Sequence, residues 1–254
     1  MFIRRVMKTK QASAPEDLYL ERIESIRLLE SLEFTKPVSF LAGENGSGKS
    51  TLLEAIAVHY GFNPEGGSRN FNFSSADTHS GLHRLIRLSK GVQRPRDGYF
   101  LRAESFYNVA TEVERLDENT DELLQAYGGT SLHKQSHGES FLSLVLNRFR
   151  GNGLYLLDEP ESALSPARQL TLLAAIHQLI QENSQFLIAT HSPILLAYPD
   201  AEIFELGRGP IRRVPYIETE PYQITKAFLD HPQRMLQALL EDENTTSEGG
   251  IEKD

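Results

Sequence analysis

Residues 43–51 read GENGSGKST, and this segment constrains the fold more than any other part of the chain. Its glycines, lysine and serine occupy the fixed positions of the pattern G-x4-G-K-[S/T], which forms a phosphate-binding loop between a strand and a helix. The apolar residues 38–42 predict the strand, and residues 51–58 place apolar side chains at helical spacing. The alternative is an ordinary Gly/Ser-rich turn, which would not require a strand before it and a helix after it.

A loop of this kind binds phosphates mainly through its backbone. The glycines let several N–H groups point at one centre, and the following helix directs its positive end there. Lys49 is expected to reach the β- and γ-phosphates of a nucleotide, and the Ser50 hydroxyl is expected to bind Mg²⁺. The predicted nucleotide contacts are Gly43, Glu44, Asn45, Gly46, Ser47, Gly48, Lys49, Ser50 and Thr51.

Two carboxylates follow the apolar run 154–157, which predicts a buried strand. Ligands gather at the carboxyl ends of strands in a parallel sheet, so Asp158 is placed to hold the Mg²⁺ that Ser50 also holds. Glu159 stands one residue further on and could orient and deprotonate a water molecule for attack on the γ-phosphate. A solvated acidic pair after a strand is the alternative.

His191 ends another predicted strand, residues 186–190. A neutral imidazole accepts one hydrogen bond and donates another, which suits a link between the γ-phosphate, the attacking water and a neighbouring loop. A surface histidine at a turn is the alternative. The predicted catalytic residues are therefore Lys49, Glu159 and His191. No set of histidines has clear metal-ligand spacing, so no zinc site is expected.

Residues 136–140, which read SHGES, open the predicted helix that precedes the Asp158 strand. A serine hydroxyl and a glycine N–H at a helix start form an anion site, here Ser136 and Gly138. Each subunit already has its own phosphate loop, so this second anion site has no obvious ligand within the same subunit. It would have one if another subunit presented its bound nucleotide there. A plain helix N-cap is the alternative.

The remaining patterns predict alternating strands and helices. Further strands are predicted at residues 2–6, 18–23, 25–34, 99–103 and 203–206. Helices are predicted at residues 106–126, from about 138 to 149, at 166–181, and at 221–240 with an interruption at Pro232. The expected organisation is one α/β domain over residues 1–240, with a helical insertion at about 105–150, followed by a disordered acidic tail at 241–254.

Composition excludes several classes of protein. The chain of 254 residues has no cysteine, which rules out disulfides, thiolate metal sites and a cysteine nucleophile. It has no signal-like start and no apolar run of membrane-spanning length, so a cytoplasmic protein is expected. The net charge of −9 disfavours nucleic-acid binding by the surface as a whole. Arginines and a lysine crowd residues 84–102; they could bind DNA, or be solvated or pair with the acidic segment 112–122.

These motifs, in this order, resemble the ATP-binding cassette (ABC) family of ATPases. SHGES stands where the family usually has LSGGQ, and residues 160–165 resemble the turn that follows the catalytic glutamate. The resemblance implies a P-loop NTPase fold of the ABC-ATPase type: a mostly parallel central sheet flanked by helices, an antiparallel N-terminal β part, and a small helical subdomain carrying the signature. It also implies ATP and Mg²⁺ as ligands, and an ATP-dependent head-to-tail homodimer.

The chain departs from the family pattern at two places. The family has a glutamine between the phosphate loop and the signature that contacts Mg²⁺, and Glu104 is the candidate for this third metal contact. An aromatic side chain normally stacks on adenine. Tyr19 lies at a suitable distance upstream, although a core role for Tyr19 is an equal alternative.

The motifs look most like the compact stand-alone branch of the family, which is related to the heads of chromosome-maintenance and break-repair ATPases. The resemblance implies a second protein partner and a role in DNA maintenance or defence. The alternatives are a nucleotide-binding subunit of a membrane transporter and an ATP-binding module with little turnover.

Overall fold

The computed structural model describes residues 1–10, 14–68, 80–102 and 136–241, and its centre is a seven-stranded sheet. In spatial order the strands are β10, β9, β3, β8, β7, β6 and β4. The inner strands from β9 to β6 are parallel, and the two edge strands are antiparallel to their neighbours. The bounds are β3 Val38–Ala42, β4 Gly67–Ser68, β6 Asp97–Arg102, β7 Gly153–Asp158, β8 Gln185–Ala189, β9 Glu202–Glu205 and β10 Arg212–Val214.

A separate antiparallel sheet is built from the N-terminal part of the chain. Strand β1 (Ile3–Lys8) lies between β2 (Ser31–Glu33) and β5 (Ile86–Lys90). The buried side chain of Gln185 joins it to the central sheet, because its amide oxygen accepts hydrogen bonds from the backbone N–H groups of Phe2 and Ile3. The predicted α/β fold, with a mostly parallel sheet and an antiparallel N-terminal part, is confirmed.

The parallel strands are buried on both faces. Successive residues of β6 and β7 alternate between two cores: Tyr99 and Tyr155 face one, whereas Phe100 and Leu156 face the other. This is the burial expected of a parallel sheet covered by helices on both sides. It explains why the strands read as continuous apolar runs in the sequence.

Helices cover both faces of the central sheet. Helix α2 packs on the face of Phe100, and helices α3 and α4 pack on the face of Tyr99. Exposed apolar side chains remain on α6 and α7, including Ile224, Leu229 and Leu239. The helix bounds are α1 Glu24–Arg27, α2 Lys49–Tyr60, α3 His137–Arg148, α4 Pro166–Gln181, α5 Pro193–Leu196, α6 Glu220–Asp230 and α7 Pro232–Glu241. None of the helices described here is long and apolar enough to cross a bilayer.

The strand predictions for residues 18–23 and 25–34 are wrong over most of their length. Residues 15–22 form the 3₁₀ helix Pro15–Arg22, α1 follows, and only Ser31–Glu33 is a strand. Apolar residues recur here every third position, at Leu20, Ile23, Ile26 and Leu29. Leu20 lies in the 3₁₀ helix and Ile26 in α1, whereas Ile23 and Leu29 lie just outside these helices. Leu20, Ile26 and Leu29 are buried in the core beneath the antiparallel sheet, and Ile23 packs against it.

Several predictions fall outside the described residues. They are Glu104 as a metal contact, the helix at 106–126, the acidic segment 112–122, and the tail from residue 242 onward.

Candidate functional site

The carboxyl ends of the parallel strands bring the predicted site residues to one edge of the sheet. The pairing register aligns Leu41 with Ala189, Ala189 with Asp158, and Asp158 with Arg102. The phosphate loop begins two residues after Leu41, Glu159 directly follows Asp158, and His191 lies two residues after Ala189. The motifs found separately in the sequence therefore meet in one row.

The phosphate loop requires glycine where it packs most tightly. Gly43 has φ +139°, and a Cβ atom there would lie 2.0 Å from the carbonyl oxygen of Leu206. Gly48 has φ +97°, and a Cβ atom there would lie 2.8 Å from the Ile23 side chain. The Ser25 hydroxyl donates a hydrogen bond to the Ser47 carbonyl and fixes the end of the loop.

The remaining loop residues lie toward solvent or at the start of α2. Glu44, Asn45 and Gly46 are exposed, whereas Ser50 and Thr51 are half-buried in the first turn of α2. A depression of about 460 Å³ is lined by Glu44, Asn45 and His191, so the tip of the loop and the histidine face the same space.

Lys49 is buried at the centre of this arrangement. Its Nζ donates hydrogen bonds to the carbonyl oxygens of Gly43 and Glu44, at 2.8 and 3.0 Å. Burial lowers the pKa of the Lys49 ammonium, and the carboxylates of Glu159, Asp158 and Glu161 act in the opposite direction. The amine thus lies over the loop, within the field of three carboxylates.

Asp158 ends β7 and is buried beside Arg102, which ends β6. The Arg102 Nε lies 3.7 Å from Asp158 Oδ2. Arg102 also contacts the buried carboxylate of Glu54 on α2, with Nη1 2.5 Å from Oε2. The sequence did not single out Glu54, because a glutamate within a helix has no distinguishing pattern. Arg102 therefore connects the phosphate-loop helix to the acidic strand end.

Glu159 and His191 lie side by side. Glu159 Oε1 is 3.3 Å from His191 Nε2, and Glu159 has the left-handed backbone conformation, φ 49° and ψ 51°. Such strain in a residue other than glycine concentrates at functional sites. The Glu159 N–H donates to the Ala189 carbonyl at 2.9 Å, which ties this residue to the end of β8.

Glu161 is a site residue that sequence reasoning did not single out. Its Oε1 accepts a hydrogen bond from the backbone N–H of His191 at 2.7 Å and lies 3.9 Å from His191 Nε2. Its place in the turn 160–165, two residues after Glu159, was the available signal. Glu161 thus holds the turn after β8 against the turn after β7.

Ser136 lies at the N-terminus of α3, where it contacts two charged side chains. Its hydroxyl donates to Glu139 Oε2 at 2.8 Å, and Arg168 Nη1 donates to the hydroxyl at 3.3 Å. Arg168 also forms an ion pair with Glu139. The hydrogen bond from the Ser136 hydroxyl lowers the pKa of Glu139, so this carboxyl is ionised at neutral pH.

Gly138 is packed against the turn that follows β7. A Cβ atom at Gly138 would lie 2.6 Å from the Ala163 carbonyl oxygen and 2.7 Å from Arg168 Nη1. Close packing within one subunit therefore already requires glycine at this position. Sequence reasoning missed Arg168, which joins α4 to the start of α3.

The donor set of the site fits a magnesium-bound nucleoside triphosphate. The buried hydroxyl oxygen of Ser47 has no hydrogen-bond partner among the described residues, and a buried polar atom of this kind calls for a ligand. Gly43 and Gly48 have positive φ angles, which give the loop its tight fold, and Lys49 adds a cation. The oxygens of Ser50 and Asp158 are the hard ligands that Mg²⁺ prefers.

Comparison with known proteins gives a consistent result. The family model described as "AAA domain" matches residues 17–187. The cobalt import ATP-binding protein CbiO of Salmonella paratyphi A is 26% identical over 196 residues, which is 71% of this chain and 72% of that protein. The hemin import ATP-binding protein HmuV of Pseudomonas aeruginosa is 28% identical over 234 residues, 82% of this chain and 91% of that protein.

One solved structure extends the comparison to the fold. CbiO1 from Clostridium perfringens, part of the ABC transporter complex CbiONQ, superposes with a TM-score of 0.51 at 16% identity. The match covers 95% of this chain and all of that chain. At this level of identity the likeness concerns the fold.

Proposed function

The chain belongs to the AAA domain family and is an ABC-type ATPase domain, and from this premise we propose that it works as an ATP-driven dimerisation switch. ABC-type ATPases are P-loop enzymes that bind and hydrolyse ATP. The observation that carries the hydrolysis step of this switch is the approach of Glu159 to His191, 3.3 Å apart, at the sheet edge where Lys49 and Asp158 also lie.

The phosphates of ATP would lie on the backbone of residues 43–51, with Lys49 against the β- and γ-phosphates. Its present acceptors are two neutral carbonyls, and exchanging them for phosphate oxygens gives its buried charge a stronger partner. Mg²⁺ would be held by Ser50 and Asp158, with Glu104 as a further proposed ligand, and would neutralise charge on the phosphates.

Glu159 would act as the general base toward water, and His191 would hold that water and the γ-phosphate in place. The strained backbone of Glu159 and its hydrogen bond to Ala189 support a preset orientation for this carboxylate. Glu161 would act through His191 as a positioning residue, because it holds the His191 backbone from the neighbouring turn.

The second part of the proposal is a head-to-tail homodimer. Ser136 and Gly138 of one subunit would bind the γ-phosphate held by the other, in an isologous twofold arrangement. ATP would close the dimer, since the γ-phosphate is shared, and hydrolysis would open it. The exposed position of Ser136 at a helix N-terminus supports such a contact.

Glu159→Gln tests both parts together. This variant should bind ATP, fail to hydrolyse it, and elute as a dimer on size-exclusion chromatography only when ATP is present. Lys49→Ala should lose nucleotide binding or turnover and remain monomeric under the same conditions. An ATP-loaded Glu159→Gln chain that stays monomeric would refute the shared site, and undiminished turnover in Lys49→Ala would refute the phosphate-loop assignment.

A second candidate function is the nucleotide-binding subunit of a membrane transporter. The relatives named as cobalt and hemin import ATP-binding proteins favour it. The site chemistry would be the same, and the partner would be a membrane protein in place of a DNA-maintenance or defence protein. Stable co-purification with a polytopic membrane protein would decide for the transporter. A third candidate, an ATP-binding module with little turnover, is separated by a steady-state phosphate-release assay.

DNA as a partner, together with a second protein and a cytoplasmic location, remains part of the proposal. The basic residues at 84–102 are partly engaged elsewhere: Arg84 pairs with Asp17, and Arg102 with Glu54. Arg87, Arg94 and Arg96 are exposed and could contact phosphates. Salt-dependent DNA binding that disappears when these three charges are reversed would support this partner.

A further inference from the structure

Arg168 lies at the start of α4, with its guanidinium against the first turn of α3. Its Nη2 is 2.9 Å from Glu139 Oε1, and its Nη1 is 3.3 Å from the Ser136 hydroxyl oxygen. Gly138 permits this close approach, because a Cβ atom there would lie 2.7 Å from Arg168 Nη1. The Arg168 side chain keeps 35% of its surface exposed. It is therefore a cation that borders the Ser136 hydroxyl and is reached by solvent.

The backbone that carries Arg168 is fixed within its own subunit. The next residue, Gln169, is buried. Its amide nitrogen donates to the Leu164 carbonyl at 3.1 Å, and its amide oxygen accepts from the Ser192 hydroxyl at 2.5 Å. Ser192 directly follows His191, so the start of α4 is joined to the turn after β8. Rotation of the Arg168 side chain can therefore redirect its guanidinium while the base stays in place.

The nucleotide site of one subunit combines few cations with several carboxylates. Lys49 is the cation of the phosphate loop, and three neighbouring carboxylates act on it. Arg102, at the end of β6, is already paired with the buried carboxylate of Glu54. Phosphoryl transfer places negative charge on the γ-phosphate oxygens, and a guanidinium aimed at these oxygens stabilises the transition state. A further cation would therefore serve this site.

We propose that Arg168 supplies this cation to the nucleotide site of the partner subunit. When two subunits close head to tail, the guanidinium leaves Glu139 and binds the γ-phosphate oxygens held by the other subunit's loop. This inference rests on the proposed function, because it requires the homodimer in which Ser136 faces that phosphate. Arg168 donates hydrogen bonds and transfers no atom. The water oxygen bonds to the γ-phosphorus, the water proton passes to Glu159, and the bond to the bridging oxygen breaks as ADP leaves.

The charges involved favour this exchange of partners. The ion pair between Arg168 and Glu139 lies at the surface, where water screens it and its contribution to stability is small. A γ-phosphate carries more negative charge and offers oxygens to both arms of the guanidinium, which makes arginine–phosphate pairs strong. Glu139 therefore holds Arg168 beside Ser136 in the free subunit and gives it up to the phosphate in the dimer.

Mixed dimers of the full chain test whether Arg168 acts across the interface, with steady-state phosphate release as the assay. Arg168→Ala should bind ATP with wild-type affinity and lose about 100-fold in turnover, and Glu159→Gln should be inactive. When the two variants are mixed before ATP is added, turnover should return to about a quarter of the wild-type rate, because about half of randomly formed dimers are mixed and have one complete site. That site combines Glu159 of one subunit with Arg168 of the other.

Two matched variants distinguish a contact to phosphate from a structural ion pair. Glu139→Gln breaks the same pair but keeps Arg168, so it should hydrolyse ATP faster than the wild type at ATP concentrations that leave the wild type mostly monomeric. Arg5→Ala breaks an exposed pair with Glu33, 3.1 Å long in the antiparallel sheet, and should turn over normally. A Glu139→Gln rate as low as that of Arg168→Ala, or wild-type turnover in Arg168→Ala, would overturn the proposal.

A second mixture separates this inference from the function on which it rests. Ser136→Glu places a carboxylate against the partner's γ-phosphate and should be inactive alone, and mixing it with Glu159→Gln should restore turnover in the same way. Recovery with Ser136→Glu but not with Arg168→Ala would overturn the role of Arg168 and leave the shared site intact. The absence of recovery in both mixtures would overturn the homodimer and this inference together.

Discussion

Replacing Glu161 with alanine tests how the turns that follow β7 and β8 are held together. The Glu161 carboxylate has a side-chain exposure of 12% and accepts the His191 N–H at 2.7 Å. A hydrogen bond to a charged group contributes about 1.5–3 kcal/mol. If this bond holds His191 in its productive position, losing about 2 kcal/mol lowers the productive fraction, and kcat with it, by about 30-fold.

The assay is single-turnover hydrolysis of ATP, with ATP affinity measured in parallel. Glu161→Ala should lower the rate with little change in affinity, because Glu161 holds a turn and does not line the phosphate loop. Glu161→Gln keeps a neutral acceptor and should lose only about fivefold. In a His191→Ala background the Glu161→Ala change should add almost nothing, since both act through one imidazole.

Two results would refute this reasoning. A wild-type rate in Glu161→Ala would show that the His191 turn keeps its position without the carboxylate. Additive losses in the double variant would show that Glu161 acts by another route. Thermal unfolding of each variant serves as the control, because a large loss of stability would make the reduced rate a folding effect.

Three further changes have defined outcomes. Glu139→Gln removes a carboxylate beside the proposed γ-phosphate contact. The ATP concentration at which half of the protein is dimeric should therefore fall by up to about fivefold. An unchanged concentration, measured by analytical ultracentrifugation, would contradict this prediction. Gly43→Ala should abolish ATP binding, because its Cβ would meet a backbone oxygen at 2.0 Å. Gly46→Ala meets nothing within 4 Å and should cost only about 1 kcal/mol of backbone strain. Similar ATP affinities in the two variants would contradict this prediction. Arg102→Ala removes the ion-pair partner of the buried Glu54 carboxylate and should lower the free energy of unfolding, measured by urea denaturation, by about 3 kcal/mol. Adding Glu54→Gln to this variant should partly restore the lost stability.

The phosphate loop and the buried strands could be predicted because their signals are local. Glycines at fixed spacing dictate the loop, and apolar runs dictate strands that are buried on both faces. The strand predictions at residues 18–34 are wrong for a related reason. The short apolar pattern of this segment predicts strands, although Leu20 and Ile26 lie in two short helices and only Ser31–Glu33 forms a strand. Whether such a short apolar pattern forms a strand or a helix depends on how its side chains pack in the core beneath it.

The connections within the site could not be predicted, because they join residues that are distant in sequence. Arg102 reaches Glu54 across 48 positions, and Glu161 reaches the His191 backbone across 30. No spacing in the sequence predicts either pair, because the order of the strands in the sheet determines which loops become neighbours. The cavity beside the phosphate loop has the same origin, because Arg22 and Arg208 line it together only when β9 pairs beside β3.

The unusual glutamate in SHGES becomes understandable once its surroundings are known. A carboxylate beside an anion site is unfavourable by itself, and Glu139 stays ionised. Arg168 lies within 2.9 Å of that carboxylate and also contacts the Ser136 hydroxyl. The pair is close to neutral as a unit, so a phosphate approaching Ser136 would meet a half-buried guanidinium together with the carboxylate. Substituting either residue alone would unbalance this charge, which is why Glu139 and Arg168 are expected to behave as one functional unit.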